Sequence, residues 1–216
     1  MENYKIIYQS GSGEIQEKKS RFIGTTFAIK SEEEAKEIIE VTKKKYWDAR
    51  HNCYAYIVGK NPGIKRFSDD GEPQGTAGKP ILDVLEGAGI VNALLIVTRY
   101  FGGTLLGTGG LIRAYTGAAK EGLNNSLLIV QKEGVHIIIS SNYPDFGKIR
   151  YEIEQREIPF FNIDYQELVT IELLCTKEES KEIIKMVEEI TSGRGEVKNE
   201  EEIVFGETDK KRILLE

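Results

Sequence analysis

The sequence predicts an α+β protein of two domains, residues 1–132 and 133–216. Three observations carry this. Up to about residue 130, strand-like and helix-like segments alternate around one glycine-rich centre. Beyond it the order becomes strand, helix, strand, strand, helix, strand, the split βαβ arrangement of a ferredoxin-like domain. The 216 residues, 40% hydrophobic and 30% charged, have a globular composition and a length that suits one large domain or two small ones, so the change of rhythm decides.

In chain order, Ile6–Tyr8 is a short strand and Ser10-Gly11-Ser12-Gly13 a turn. Glu14–Glu17 alternates, and Arg21–Ile29 is rich in the Phe, Ile and Thr of strands. Between them Lys18, Lys19 and Arg21 form a solvated edge or a phosphate contact. Ser31 and Glu34 have capping-box spacing, and Lys43-Lys44-Lys45 closes that helix. Asn52–Val58 reads as a buried strand and Asn61-Pro62-Gly63 as a turn. Pro80 belongs in the first turn of a helix that ends near Gly87 or Gly89. Val91–Tyr100, apolar almost throughout, is a central strand, followed by a helix over Leu111–Leu123 and a closing strand, Leu127–Val130. After a boundary near Gln131–Gly134 come a strand Val135–Ser140, a helix Pro144–Arg156, strands Pro159–Tyr165 and Leu168–Cys175, a helix Lys177–Ile190 capped by Thr176, and a strand Gly195–Phe205.

The glycine-rich centre runs from Arg66 to Tyr115. Ten of the 22 glycines lie between Gly71 and Gly110, a density that points to positive φ angles or close backbone approach. Each of its two segments, Arg66–Pro80 and Thr98–Tyr115, leads into a helix-like run. Unpaired N–H groups at such helix starts suit anions such as phosphate; tight packing without a ligand is the plainer reading.

Composition limits the partners. The net charge is −6, so any phosphate-binding surface is a local patch on an acidic molecule. Cys53 and Cys175 are too few for a disulfide framework and read as reduced thiols. The start of the chain has no signal-peptide pattern, and no segment approaches the ~20 apolar residues of a membrane span. A cytoplasmic protein with no membrane partner is expected.

Enzyme chemistry finds little to stand on. Gly102-x-x-x-x-Gly107-Thr108 lacks the lysine of a P-loop, and Gly78-Lys79 is followed by Pro80. Gly107-Thr108-Gly109-Gly110 loosely resembles the phosphate loop of small-molecule kinases of the homoserine and mevalonate type. His51 and Cys53, two apart, share a strand face but do not make a zinc site, and His136 has no evident partner. Asp69, Asp70, Glu72 and Asp83 offer oxygen ligands for Mg²⁺, yet they equally suit turns and contacts with Arg66 or Arg99. No catalytic residue, metal site or cofactor is assigned.

Binding fits better. Arg66, Lys79, Arg99 and Arg113 are interleaved with aromatic residues, of which Tyr100 and Phe101 are candidates to stack on bases. Gly107, Thr108, Gly109 and Gly110 would supply backbone donors. Acidic neighbours mean that the patch exists only if folding separates the signs; internal Arg–Asp pairs and a protein-docking surface are the alternatives. Arg194 and Lys198 are weaker candidates in the second domain.

The two glycine-rich segments, with Lys19-Ser20-Arg21-Phe22-Ile23 and His51-Asn52-Cys53-Tyr54-Ala55-Tyr56, closely resemble the IMPACT family, also called UPF0029 or YigZ-type. The remainder resembles the small C-terminal domain of its bacterial members. The resemblance implies an N-terminal α/β sandwich like the second domain of ribosomal protein S five, and a C-terminal ferredoxin-like domain. It also implies a non-enzymatic protein linked to regulation of translation, contacting RNA, the ribosome or a ribosome-associated factor. Eukaryotic relatives bind a large activator of an initiation-factor kinase, but they carry an extra domain without counterpart in this sequence, so that partner is not carried over. An enzyme acting on a phosphorylated small molecule with Mg²⁺, and a pure protein–protein adaptor, are the competing expectations.

Overall fold

The computed structural model describes residues 4–60, 62–208 and 211–215, without the side chains of 199 and 200; Asn61 of the expected Asn61-Pro62-Gly63 turn lies outside them. The chain divides into two compact units between Ile129 and Val130.

The first unit contains β1 (Tyr4–Gln9), β2 (Ser12–Glu17), β3 (Ser20–Ala28), α1 (Glu32–Lys45), β4 (His51–Val58), β5 (Ile64–Ser68), α2 (Gly78–Gly87), β6 (Ala93–Tyr100) and α3 (Gly107–Asn124). Five strands form an antiparallel sheet in the order β2-β3-β6-β4-β5. Successive side chains alternate between its faces. Phe22, Cys53, Ala55, Leu95 and Val97 face one way and pack with α2 and α3. Tyr56, Leu94 and Ile96 face the other way and pack with Ala35 and Ile39 of α1. The central β6 is covered on both faces, which is why its sequence is continuously apolar.

Local chemistry explains most of the elements. Ser31 Oγ accepts from Glu34 N at 3.2 Å and starts α1. The reciprocal half of the expected capping box is absent, because the Glu34 carboxylate accepts from Lys30 N at 2.6 Å instead. Helix α3 begins at Gly107 rather than at the expected Leu111. Glycine's low helix propensity hides this first turn from a sequence reading. Further along, α3 lies so close to the sheet that a Cβ on Gly24 would sit 2.0 Å from the Ala118 carbonyl oxygen. The expected strands over Leu127–Val130 and Val135–Ser140 are one continuous strand, β7 (Leu127–Ser141). Gly134, read as a break, sits inside it because a Cβ there would lie 2.0 Å from the Cys175 carbonyl oxygen. Strand β5 was not expected: it is an exposed edge, so burial leaves no apolar period in its sequence.

The second unit continues with α4 (Tyr143–Gln155), β8 (Asn162–Tyr165), β9 (Val169–Cys175), α5 (Lys177–Thr191), β10 (Glu196–Glu207) and β11 (Arg212–Leu215). Its sheet runs β11-β10-β7-β9-β8, antiparallel at each of these pairings. The four strands of the expected βαββαβ unit therefore lie in the order fourth, first, third, second, the ferredoxin-like topology, with β11 added at the edge. Ile137, Ile139, Ile171 and Leu173 form the core with Phe146, Ile149, Ile183 and Val187 of the two helices. Among the described residues, no helix is long and apolar enough to cross a membrane.

Candidate anion-binding cleft

The two glycine-rich turns lead into helices that are finished differently. At α2 the Asp69 carboxylate occupies the start: one oxygen accepts from Ala77 N at 3.0 Å and Gly78 N at 2.8 Å, the other from Gly75 N at 2.8 Å. Asp70 accepts from Lys43 Nζ at 2.9 Å and Asn52 N at 2.7 Å. These carboxylates are spent inside the protein, and the α2 terminus has its own anion. At α3, Leu106 precedes the helix, Gly107 turns the chain at φ +70°, and among the described residues no side chain caps the first turn. Its N–H groups and the positive end of the helix dipole are open.

A cleft of about 560 Å³ lies at this terminus, lined by Gly107 and Thr108 together with Arg50, His51, Glu72, Arg99, Phe101 and Leu105. The register that builds it pairs His51 with Arg99 across β4 and β6, and Arg50 N donates to the Arg99 carbonyl at 2.9 Å. Arg99 is only 4% exposed. Its Nη1 donates to Glu72 Oε1 at 2.5 Å and its Nη2 to Ser20 Oγ at 3.5 Å. The guanidinium carbon lies 5.2 Å from the Phe22 ring centre and 5.4 Å from that of Phe101. Arg99 Nε is buried without a hydrogen-bond partner among the described residues.

Glu72 is the counter-charge. It also accepts from Tyr115 Oη at 2.8 Å. Burial drives the Tyr115 phenol well above its ordinary range, so its hydroxyl stays a donor. His51 Nδ1 lies 2.8 Å from the Asp70 carbonyl, which only accepts, so the proton is on Nδ1 and Nε2 is turned towards Glu72, 3.8 Å away. Cys53 donates to the Asp69 carbonyl at 3.0 Å, and burial pushes its thiol far up, which makes it a packing group rather than a nucleophile.

The structure gathers some of the sequence-derived candidates here and not others. Arg99, Phe101, Gly107 and Thr108 line the cleft. Arg113, nearly two turns into α3, reaches back until its Nη1 is 3.7 Å from where a Cβ on Gly109 would stand. Gly109 is exposed and Gly110 is buried beneath them. Arg66 pairs in register with Tyr56 and so points to the α1 side of the sheet, opposite Arg99, 3.7 Å from Glu32. Tyr100 is on that side too, donating to Asp48 at 3.0 Å. Lys79 is tied to Asp83 and Glu86 of its own helix. Arg21 pairs with Glu14 at 2.7 Å, Arg194 with Asp145 at 3.4 Å and Lys198 with Glu196 at 2.9 Å. His136 pairs with Glu172 at 3.0 Å. Among the described residues no group of three or more His, Cys, Asp or Glu is placed to hold a metal ion.

Arg50 and His51 were not among the expected site residues. Their signal, two basic residues opening an apolar strand, acquires meaning only through the register that sets them beside Arg99. Arg50 is exposed, and neither it nor Arg113 makes an ion pair among the described residues.

Comparison with known proteins places both parts of the chain. Residues 18–123 match the family model described as the Impact N-terminal domain, and residues 139–194 match a domain of unknown function, DUF1949. The chain is 39% identical over 202 residues to the IMPACT family member YvyE of Bacillus subtilis, covering 93% of each. It is 37% identical over 156 residues to the family member YigZ of Escherichia coli, covering 71% of this chain and 76% of that one. A crystal structure described as that of a hypothetical protein is 32% identical with a TM-score of 0.59, over 93% of this chain and 98% of the other.

Proposed function

We propose a function from the premise that this chain belongs to the IMPACT family: it is a non-enzymatic binding protein of the cytoplasm that engages single-stranded RNA, free or on the ribosome, in the regulation of translation. The observation that carries the reading is the open terminus of α3 with arginines converging on it. Backbone donors at a helix start and arginine side chains are what phosphate groups require, and the half-exposed Phe101 ring beside them suits an unpaired base.

The distribution of charge supports this placement. Residues 1–129 carry 17 Lys and Arg against 15 Asp and Glu, whereas residues 130–216 carry 12 against 20. The acidity of the molecule lies in its second part, and the first is slightly basic. A polyanion is repelled by the second unit and tolerated by the first.

Binding of labelled single-stranded and double-stranded RNA across a salt series tests the reading, with Arg50→Ala/Arg113→Ala as the comparison, since both side chains are exposed. The expected result is affinity for the single strand that falls with salt, and a weaker dependence in the double variant. No RNA binding at low salt would sink it. A second reading draws on the orientation of His51: with Nδ1–H held by a carbonyl, Nε2 is placed to accept a proton in the cleft. It predicts Mg²⁺-dependent turnover of a phosphorylated small molecule, lost in His51→Gln.

A further inference from the structure

We propose that the cleft at the start of α3 takes a terminal phosphate monoester attached to a base, the chemistry shared by the phosphorylated end of a single-stranded RNA and by a free nucleotide. The proposal deepens the anion-binding reading above and rests on it. Internal phosphodiesters are gripped by cations strung along a track. Here Arg50, Arg99 and the start of α3 line one cleft instead. Arg66 is on the opposite face of the sheet and Lys79 is neutralised by its own helix, so no track leads from the cleft through either.

Charge selects the same ligand. Glu72 matches Arg99, which leaves Arg50 and the positive helix end as the surplus in the cleft, with the exposed Arg113 outside its lining. A monoester carries close to two negative charges at neutral pH and a diester only one, so the surplus favours the monoester. The second observation is Arg99 itself. It lines the cleft, its side chain is 95% buried by its 5% exposure, and its Nε donor is unmatched. A buried guanidinium donor without a partner is costly unless an acceptor arrives.

The walls define the rest of the ligand. Phe101 is 45% exposed and Leu105 83% exposed, an apolar rim beside the donor cluster. A base can lie against this rim while its phosphate meets the helix start. At about 560 Å³ the cleft has the size of a site for one small molecule, and a duplex end does not enter it.

The test compares one short single-stranded RNA in 5′-phosphorylated and 5′-hydroxyl forms, with AMP and adenosine as competitors, on the full chain. The 5′-phosphorylated strand is expected to bind about tenfold more tightly, the scale of one or two charge-assisted hydrogen bonds. Arg50→Ala, at an exposed residue that does not endanger folding, should shrink that ratio. Displacement by AMP and not adenosine identifies a nucleotide as sufficient; discrimination that AMP does not disturb identifies the RNA end. Equal binding of the two strands overturns the terminal-phosphate proposal and leaves RNA binding standing. AMP binding without RNA binding keeps the proposal and removes RNA as the ligand. Absence of binding by every phosphorylated probe overturns both.

Discussion

Glu72 holds Arg99 and Tyr115 through one oxygen, with His51 Nε2 at 3.8 Å. Arg99 and Glu72 are 5% and 4% exposed as side chains, so solvent screens them little. Replacing one partner of such a pair leaves the other charge buried and alone. Glu72→Ala is expected to destabilise the first unit by about 3–5 kcal/mol, measured by urea unfolding. Gly24→Ala tests packing at the same scale: its new Cβ meets the Ala118 carbonyl, backbone that cannot swing aside, and a loss of about 1–3 kcal/mol is expected. Little of this was visible beforehand. A sequence shows an arginine and a glutamate 27 positions apart, and only the fold sets them in contact.

Helix ends are where the elements state their purposes. Thr176, legible in the sequence as the cap of α5 because cap and first turn are adjacent in the chain, forms a full capping box there with Glu179. Thr176→Ala should cost about 1 kcal/mol in chemical denaturation. At α3 the cap is missing and the terminus is open, so a carboxylate supplied there has two opposed effects. Thr108→Asp is expected to stabilise the helix by about 0.3–1 kcal/mol through its dipole while abolishing phosphate-dependent binding. A gain in thermal stability with unchanged ligand affinity would show that the terminus is not the anion site. The elements that escaped the sequence reading, β5 and β11, are short edge strands. An edge strand buries too little to impose a period on its residues.

Across the whole molecule, each unit has its own core and its own buried thiol. Cys53 and Cys175 are both fully buried, and burial raises the thiol of Cys175 to about 12. Neither should react with iodoacetamide at neutral pH until its unit unfolds, as read from peptide masses after labelling in graded denaturant. Acid acts on the second unit through Glu179. Burial is the largest single influence and raises its pKa, but the Arg212 guanidinium, at 2.7 Å from both carboxylate oxygens, and the Thr176 N–H, at 2.8 Å, together outweigh it, so the folded value is below the ordinary 4.5. A depressed folded pKa stabilises above the unfolded value and is lost as pH falls through the folded one. The stability advantage of the parent over Glu179→Gln should therefore be full above about pH 5 and disappear progressively on acidification below it.

The sequence by itself determined the composition of the layers: apolar periods marked the central strands, capping residues marked α1 and α5, and the strand–helix order marked the ferredoxin-like half. Those features are local, written in residues a few positions apart. Tertiary structure alone decided the site. It set Arg50 and His51 beside Arg99, turned Arg66 and Tyr100 to the opposite face, gave the α2 terminus to Asp69 and left the α3 terminus open. Side chains on a strand alternate between faces, so moving the register by one residue would exchange those outcomes, and register is fixed by long-range packing rather than by neighbours in the chain.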